Sequence, residues 1–176
     1  VAQGFSPVER GNVKKRRHRA VIPLVAGAVV LGLTILATIF PFQVVRHAGD
    51  AMEPTLSNQQ LVIVNKLSFR LRDPRSGDIV MMYYPLDPDR SFVRRLIARE
   101  GDTVKLAGGI VFINDMPLRE AYAPAEFRSR ADWGPQVVPQ GYYFVLGDRR
   151  NGRSDSRHWG FVPKRYITGT IIARFG

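Results

Sequence analysis

Two stretches of this chain concentrate residue types that move protons or hold charge. The first is His47-Ala48-Gly49-Asp50-Ala51-Met52-Glu53-Pro54-Thr55-Leu56-Ser57. The second is Gly147-Asp148-Arg149-Arg150-Asn151-Gly152-Arg153-Ser154-Asp155-Ser156-Arg157-His158-Trp159-Gly160. An imidazole beside a carboxylate suggests acid–base chemistry, yet His47 and Asp50 flank no nucleophile, because Ala51 offers only a methyl group. Thr55 and Ser57 belong to the turn that follows. The arginines of the second stretch stay protonated in proteins, so they hold anions and do not act as bases. His18, His47 and His158 lack ligand spacing, and no metal site is expected. Asp87-Pro88-Asp89 reads as an exposed turn. No phosphate-cradling glycine motif is present, so no nucleotide and no other cofactor is expected.

Strands must position these groups. Gln59–Lys66, Gly77–Pro85, Phe92–Arg99 and Thr103–Leu106 are short runs rich in β-branched and aromatic residues, closed by turn formers. Ile110–Ile113 lies between Gly108-Gly109 and Asn114-Asp115, the layout of a hairpin with polar turns. Gly141–Gly147 and Ile167–Phe175 add two more. The segment of about 117–139, rich in Arg, Ala, Pro and Asp, is expected to be a long loop or insertion. The fold class that follows is mainly β, an antiparallel sandwich or barrel-like domain.

The 176 residues carry a formal net charge of +11. Arg10, Lys14, Lys15, Arg16, Arg17 and Arg19 against Glu9 account for +5 of it within residues 1–19. That cluster abuts an uncharged apolar run from Ala20 to Phe42, which as a helix spans roughly 30 Å, a bilayer's hydrocarbon thickness. Residues 1–19 are therefore read as a basic cytoplasmic tail, 20–42 as a single transmembrane helix and 43–176 as an extracytoplasmic β domain. The basic flank points to a lipid bilayer as partner and away from nucleic acid. Localisation in a cytoplasmic (inner) membrane follows, with the N-terminus inside and the β domain on the outer face.

Residues 44–175 resemble the type I signal peptidases, in motif order. Ala51-Met52-Glu53-Pro54-Thr55-Leu56 is similar to that family's Ser-Met-x-Pro-Thr-Leu box, and Arg75-Ser76-Gly77-Asp78-Ile79-Val80 to its Arg-Gly-Asp-Ile-Val box. Phe92-Val93-Arg94-Arg95-Leu96-Ile97, ending in Gly101-Asp102, is similar to the segment bearing the family's lysine. Gly147–Gly160 with Val162-Pro163 is similar to its last box. The resemblance implies a membrane-anchored, mostly antiparallel β domain and a serine–lysine dyad that cuts signal peptides after small residues. It implies Met52, Pro54, Ile79 and Val80 as peptide-groove candidates, and Asp148, Asp155, Ser156 and Arg157 as scaffold around the site.

The reactive positions of that pattern are replaced. Ala51 stands at the nucleophilic serine, Arg94 at the lysine, Arg153 at the serine that orients the lysine, and Arg149 at an asparagine. Lys66 and Lys105, the closest lysines in sequence, fall in no catalytic segment. The resulting expectation is a catalytically inactive relative, a pseudoenzyme acting as a binding, assembly or accessory subunit for a membrane or secreted protein of unknown identity. The alternative is a type I signal peptidase whose dyad has been altered by engineering. For the inserted arginines, snorkelling to solvent is the expected arrangement, and an anion-binding site in place of the dyad is the other.

Overall fold

A computed structural model of the chain describes residues 23–34, 41–152 and 154–176. The basic tail, residues 20–22 and 35–40 of the expected membrane span, and Arg153 lie outside the described residues. Residues 23–34 form an α-helix (α1). No helix among the described residues is long and apolar enough to cross a membrane. The chain divides into one unit ending at Pro41 and a second, Phe42–Gly176, which contains every described strand.

The strands are β1 (Phe42–Arg46), β2 (Leu61–Asn65), β3 (Ile79–Tyr84), β4 (Asp87–Arg99), β5 (Thr103–Ala107) and β6 (Ile110–Ile113). They continue with β7 (Met116–Pro117), β8 (Trp133–Val137), β9 (Tyr142–Leu146), β10 (Val162–Pro163) and β11 (Ile167–Phe175). Two short helices, α2 (Ser68–Leu71) and α3 (Ser156–Trp159), interrupt them. Among the described residues seven strands form one sheet in the order β1-β2-β11-β3-β4-β9-β10, and four form a second in the order β7-β6-β5-β8. Every pairing is antiparallel. The mainly β, antiparallel expectation therefore stands.

Three expectations are corrected. Phe42, expected to end the apolar helix, instead opens β1, opposite Asn65 of β2. The segment 117–139 is not all loop: β8 pairs with β5, Trp133 opposite Leu106 and Val137 opposite Thr103. Asp87 and Pro88 are not an exposed turn, because Asp87 pairs with Tyr84 and the hairpin turns at Pro85-Leu86.

Alternation sets the core. In β2, Val62 and Val64 point inward while Leu61 stays exposed, the period of a half-buried strand. The centre of β4 is buried on both faces, Val93 through Ala98. One side of the fold packs Ile97, Phe144 and Leu146 with Val104, Leu106 and Val111 of the four-stranded sheet. Val80, Met82, Leu96 and Val145 form a second cluster, and Met52, Leu56, Val62 and Val93 a third. This third cluster anchors the loop that carries position 51.

Candidate functional site

Loop 50–56 and the turn after β9 are tied together at Ala51. The Arg149 N–H donates to the Ala51 carbonyl at 3.1 Å. Gly147 runs so close beneath that a Cβ there would lie 2.5 Å from the same oxygen, a distance that excludes any side chain. Arg149 closes the outer edge by pairing with Asp50 and Glu53, and its guanidinium lies 5.5 Å from the Phe127 ring. Thr55 donates its hydroxyl to Asp148. Around Ala51 these contacts leave a cavity of about 390 Å³, lined by Asp50, Gly147, Arg149, Asn151, Gly152, Ser154 and Asp155.

Adjacent residues of β4 face opposite sides, so Arg94 and Arg95 enter different surroundings. Arg95 forks onto Asp148, Nε to Oδ1 at 2.7 Å and Nη2 to Oδ2 at 2.6 Å, and donates Nη1 to the Gly77 carbonyl at 2.8 Å. Its guanidinium sits 3.8 Å from the Tyr122 ring centre. Arg94 instead donates Nε to the Ser154 carbonyl and Nη1 to the Val93 carbonyl, each at 2.5 Å. Its guanidinium lies 5.0 Å from Phe92 and 5.6 Å from Trp159, rings that stack on each other 5.7 Å apart. Only 3% of Arg94 is exposed. Snorkelling is therefore the wrong description of this arginine: it is enclosed by aromatic rings and backbone carbonyls. Burial pushes its pKa down to about 10, against the opposing pull of Asp155 and Asp50.

The neighbouring charges are arranged in pairs. Asp155 caps α3 through the Arg157 N–H and takes the Arg157 guanidinium at 2.8 and 2.7 Å. Ser156 accepts the Val145 N–H at 3.1 Å, next to a register shift between β4 and β9. His47 is buried, its Nε2 without a hydrogen-bond partner among the described residues. Burial first, and the Arg94 charge second, hold its pKa below the usual imidazole value.

Of the groove candidates, Met52 and Val80 are 0% exposed and serve the core, so they do not line an open groove in this structure. Inward alternation along β3 takes Val80 there, and Met52 is drawn in from its turn by packing with Leu56, Val62 and Val93. Ile79 is half-buried and Pro54 exposed. Lys66 and Lys105 are exposed. No cluster of metal ligands occurs among the described residues. Sequence reading missed Phe92, Tyr122 and Trp159 as the aromatic walls of the two arginines. The i, i+2 spacing of Phe92 and Arg94 was the one available hint that they share a face.

Residues 19–175 match the family model described as signal peptidase, peptidase S26. This chain belongs to that family. It is 34% identical to the signal peptidase I of Leptolyngbya laminosa over 171 residues, covering 89% of this chain and 82% of that protein. It is 39% identical to the probable signal peptidase I-2 of Synechocystis over 135 residues, covering 72% of this chain and 60% of that one. The crystal structure of a signal peptidase I from Enterococcus faecalis superposes with a TM-score of 0.52 at 30% identity, covering 57% of this chain and 98% of that one. These relatives overturn the expectation of a non-enzyme. That expectation rested on a few side chains, whereas proteins named as peptidases share the chain over most of its length.

Proposed function

We propose that this protein is a type I signal peptidase whose dyad positions, 51 and 94, have been altered. It is held at the outer face of a cytoplasmic membrane by a single span ending before Phe42. Its partners are then the lipid bilayer and the secreted or membrane preprotein it processes. The observation that carries the reading is the Ala51 cavity, built by two family boxes tied through the Arg149 N–H and the Gly147 approach.

The surroundings of position 94 support the same chemistry. A dyad lysine acts as base only when neutral, and burial favours the neutral form. The burial that lowers the Arg94 pKa would lower that of a lysine amine placed there. A serine hydroxyl at 51 would open onto the cavity, where an extended peptide with small residues before the scissile bond has room.

The Ala51→Ser/Arg94→Lys chain, purified whole in detergent, tests this on a peptide spanning a signal-peptide junction. Cleavage after a small residue, mapped by mass spectrometry, supports the reading. It is overturned if neither this variant nor one with Arg153→Ser added cleaves the peptide while both keep the native circular dichroism spectrum.

A further inference from the structure

Four strand ends meet at one end of the seven-stranded sheet. The register puts Phe42 of β1 opposite Asn65 of β2, Asn65 opposite Thr170 of β11, and Ile167 of β11 opposite Met82 of β3. The chain enters the β domain at that end, because Phe42 is its first strand residue after the apolar run. A cavity of about 380 Å³ opens among these strand ends. Lys66 and Lys164 give its wall charge, and Phe69, Tyr83 and Ile167 give it apolar surface.

The charge of this wall is one-sided. No carboxylate lines the cavity among the described residues. Lys164 pairs with Asp73, which stands outside the lining. Lys66 is exposed and meets no carboxylate at salt-bridge distance among the described residues. The surplus survives a wider count. The segments that wall the cavity, 66–78 and 164–168, hold six lysines and arginines against two aspartates. Such a surface attracts anions.

The apolar half of the wall narrows the anion. Tyr83 is exposed, as are Phe42 and Leu86 at the same end of the sheet. Aromatic side chains with a polar tip suit the headgroup level of a bilayer, where one end is wet and the other apolar. Free phosphate would use the lysines and leave this surface bare. A glycerophospholipid uses both, its phosphate on the ammonium groups and its glycerol and first acyl carbons on Phe69, Tyr83 and Ile167. An ammonium serves as a point charge for phosphate and needs no fixed fork.

We infer that this cavity binds the headgroup of an anionic glycerophospholipid, with Lys66 and Lys164 as its cationic contacts. It shares no lining residue with the Ala51 cavity, so it is a second site. The choice of lipid rests on the reading of a membrane-held chain, which protease accessibility decides separately.

The test uses the full chain in a neutral detergent and short-chain dihexanoyl lipids, with affinities from calorimetry. Phosphatidylglycerol is expected to bind about 30-fold more tightly than phosphatidylcholine, each lysine contributing about fivefold. Lys66→Gln should lose about fivefold of that preference. The double variant with Lys164→Gln should lose all of it. Lys105→Gln lowers the net charge equally, at an exposed lysine outside the cavity, and should leave the preference unchanged. Equal binding of the two lipids by the unaltered chain overturns the inference. So does an equal loss in Lys66→Gln and Lys105→Gln, which would reduce the effect to overall charge. Inorganic phosphate binding as tightly as phosphatidylglycerol overturns the lipid assignment. Each of these failures leaves the peptidase reading standing, because no peptide takes part. The comparison of the two lipids needs no variant, so a folding defect does not protect the idea.

Discussion

Arg95 and Asp148 form a buried fork, two parallel bonds of 2.7 and 2.6 Å between β4 and the end of β9. Thr55 donates to the same aspartate and the Gly77 carbonyl accepts from the same arginine. One ion pair thus ties together loop 50–56, the entry to β3 and the turn carrying Arg149. Removing one partner leaves a buried charge with nothing to meet it. Asp148→Ala should cost about 3–5 kcal/mol. Urea denaturation of the domain followed by tryptophan fluorescence measures this, and a cost below about 1 kcal/mol would show that the fork does not organise the site.

Gly147→Ala should also destabilise, by about 1–3 kcal/mol, because the added methyl would lie 2.5 Å from the Ala51 carbonyl oxygen. The shift needed to relieve it pulls against the Arg149–Ala51 bond. Weaker protection of the Arg149 amide from hydrogen exchange is the specific sign. Unchanged protection would mean that the two segments are joined by other means.

The catalytic positions should respond in order. Ala51→Ser supplies a hydroxyl without a base, and adding Arg94→Lys should raise kcat further by about 10²–10⁴, the usual contribution of a general base. Arg153→Ser, which restores the hydroxyl that orients the lysine in the family pattern, should raise it again. Turnover of one peptide by the single, double and triple variants checks the sequence. A single variant as fast as the triple one would place the base elsewhere.

His47 gives the domain an acid-sensitive component. Its pKa is held below the ordinary imidazole value by burial and then by Arg94. Above about pH 6.5 the ring is neutral whether folded or unfolded, and the group has no effect on stability. As pH falls below that value the unfolded chain takes up the proton first, so stability declines until the folded pKa is reached. The slope from this residue is at most about 1.4 kcal/mol per pH unit. Melting curves between pH 7.5 and 5 should show a smaller acid decline for His47→Leu. That variant also removes the unpartnered Nε2, so its Tm at pH 7.5 should not fall far. Equal declines in the two proteins would remove His47 from the account.

Protease added to the outer face of spheroplasts should digest residues beyond Phe42 and spare the basic tail. A protected β domain would reverse the orientation.

Several elements were legible in the chain because their side chains alternate or branch. β2, β3, β6, β9 and β11 all fall within runs visible in the sequence, and β5 runs one residue beyond its run, to Ala107. The family boxes were legible for the same kind of reason, since residue types in order need no knowledge of contacts. β1 was hidden because its apolar residues continue those before it, and only pairing with β2 separates them. β8 was hidden because Trp133-Gly134-Pro135-Gln136-Val137 has poor strand propensity. It is a strand because β5 offers an open edge and Trp133 packs on Phe144, 4.7 Å between centroids. The two arginines of β4 look alike in sequence. Their difference arises because successive side chains point to opposite faces, and the partners on each face come from segments 53 and 60 residues away. Residue types decided which groups were available to the site. Which guanidinium met a carboxylate, and which was left with carbonyls and aromatic rings, was decided by long-range strand pairing, because charge interactions depend on distances that only the folded chain sets.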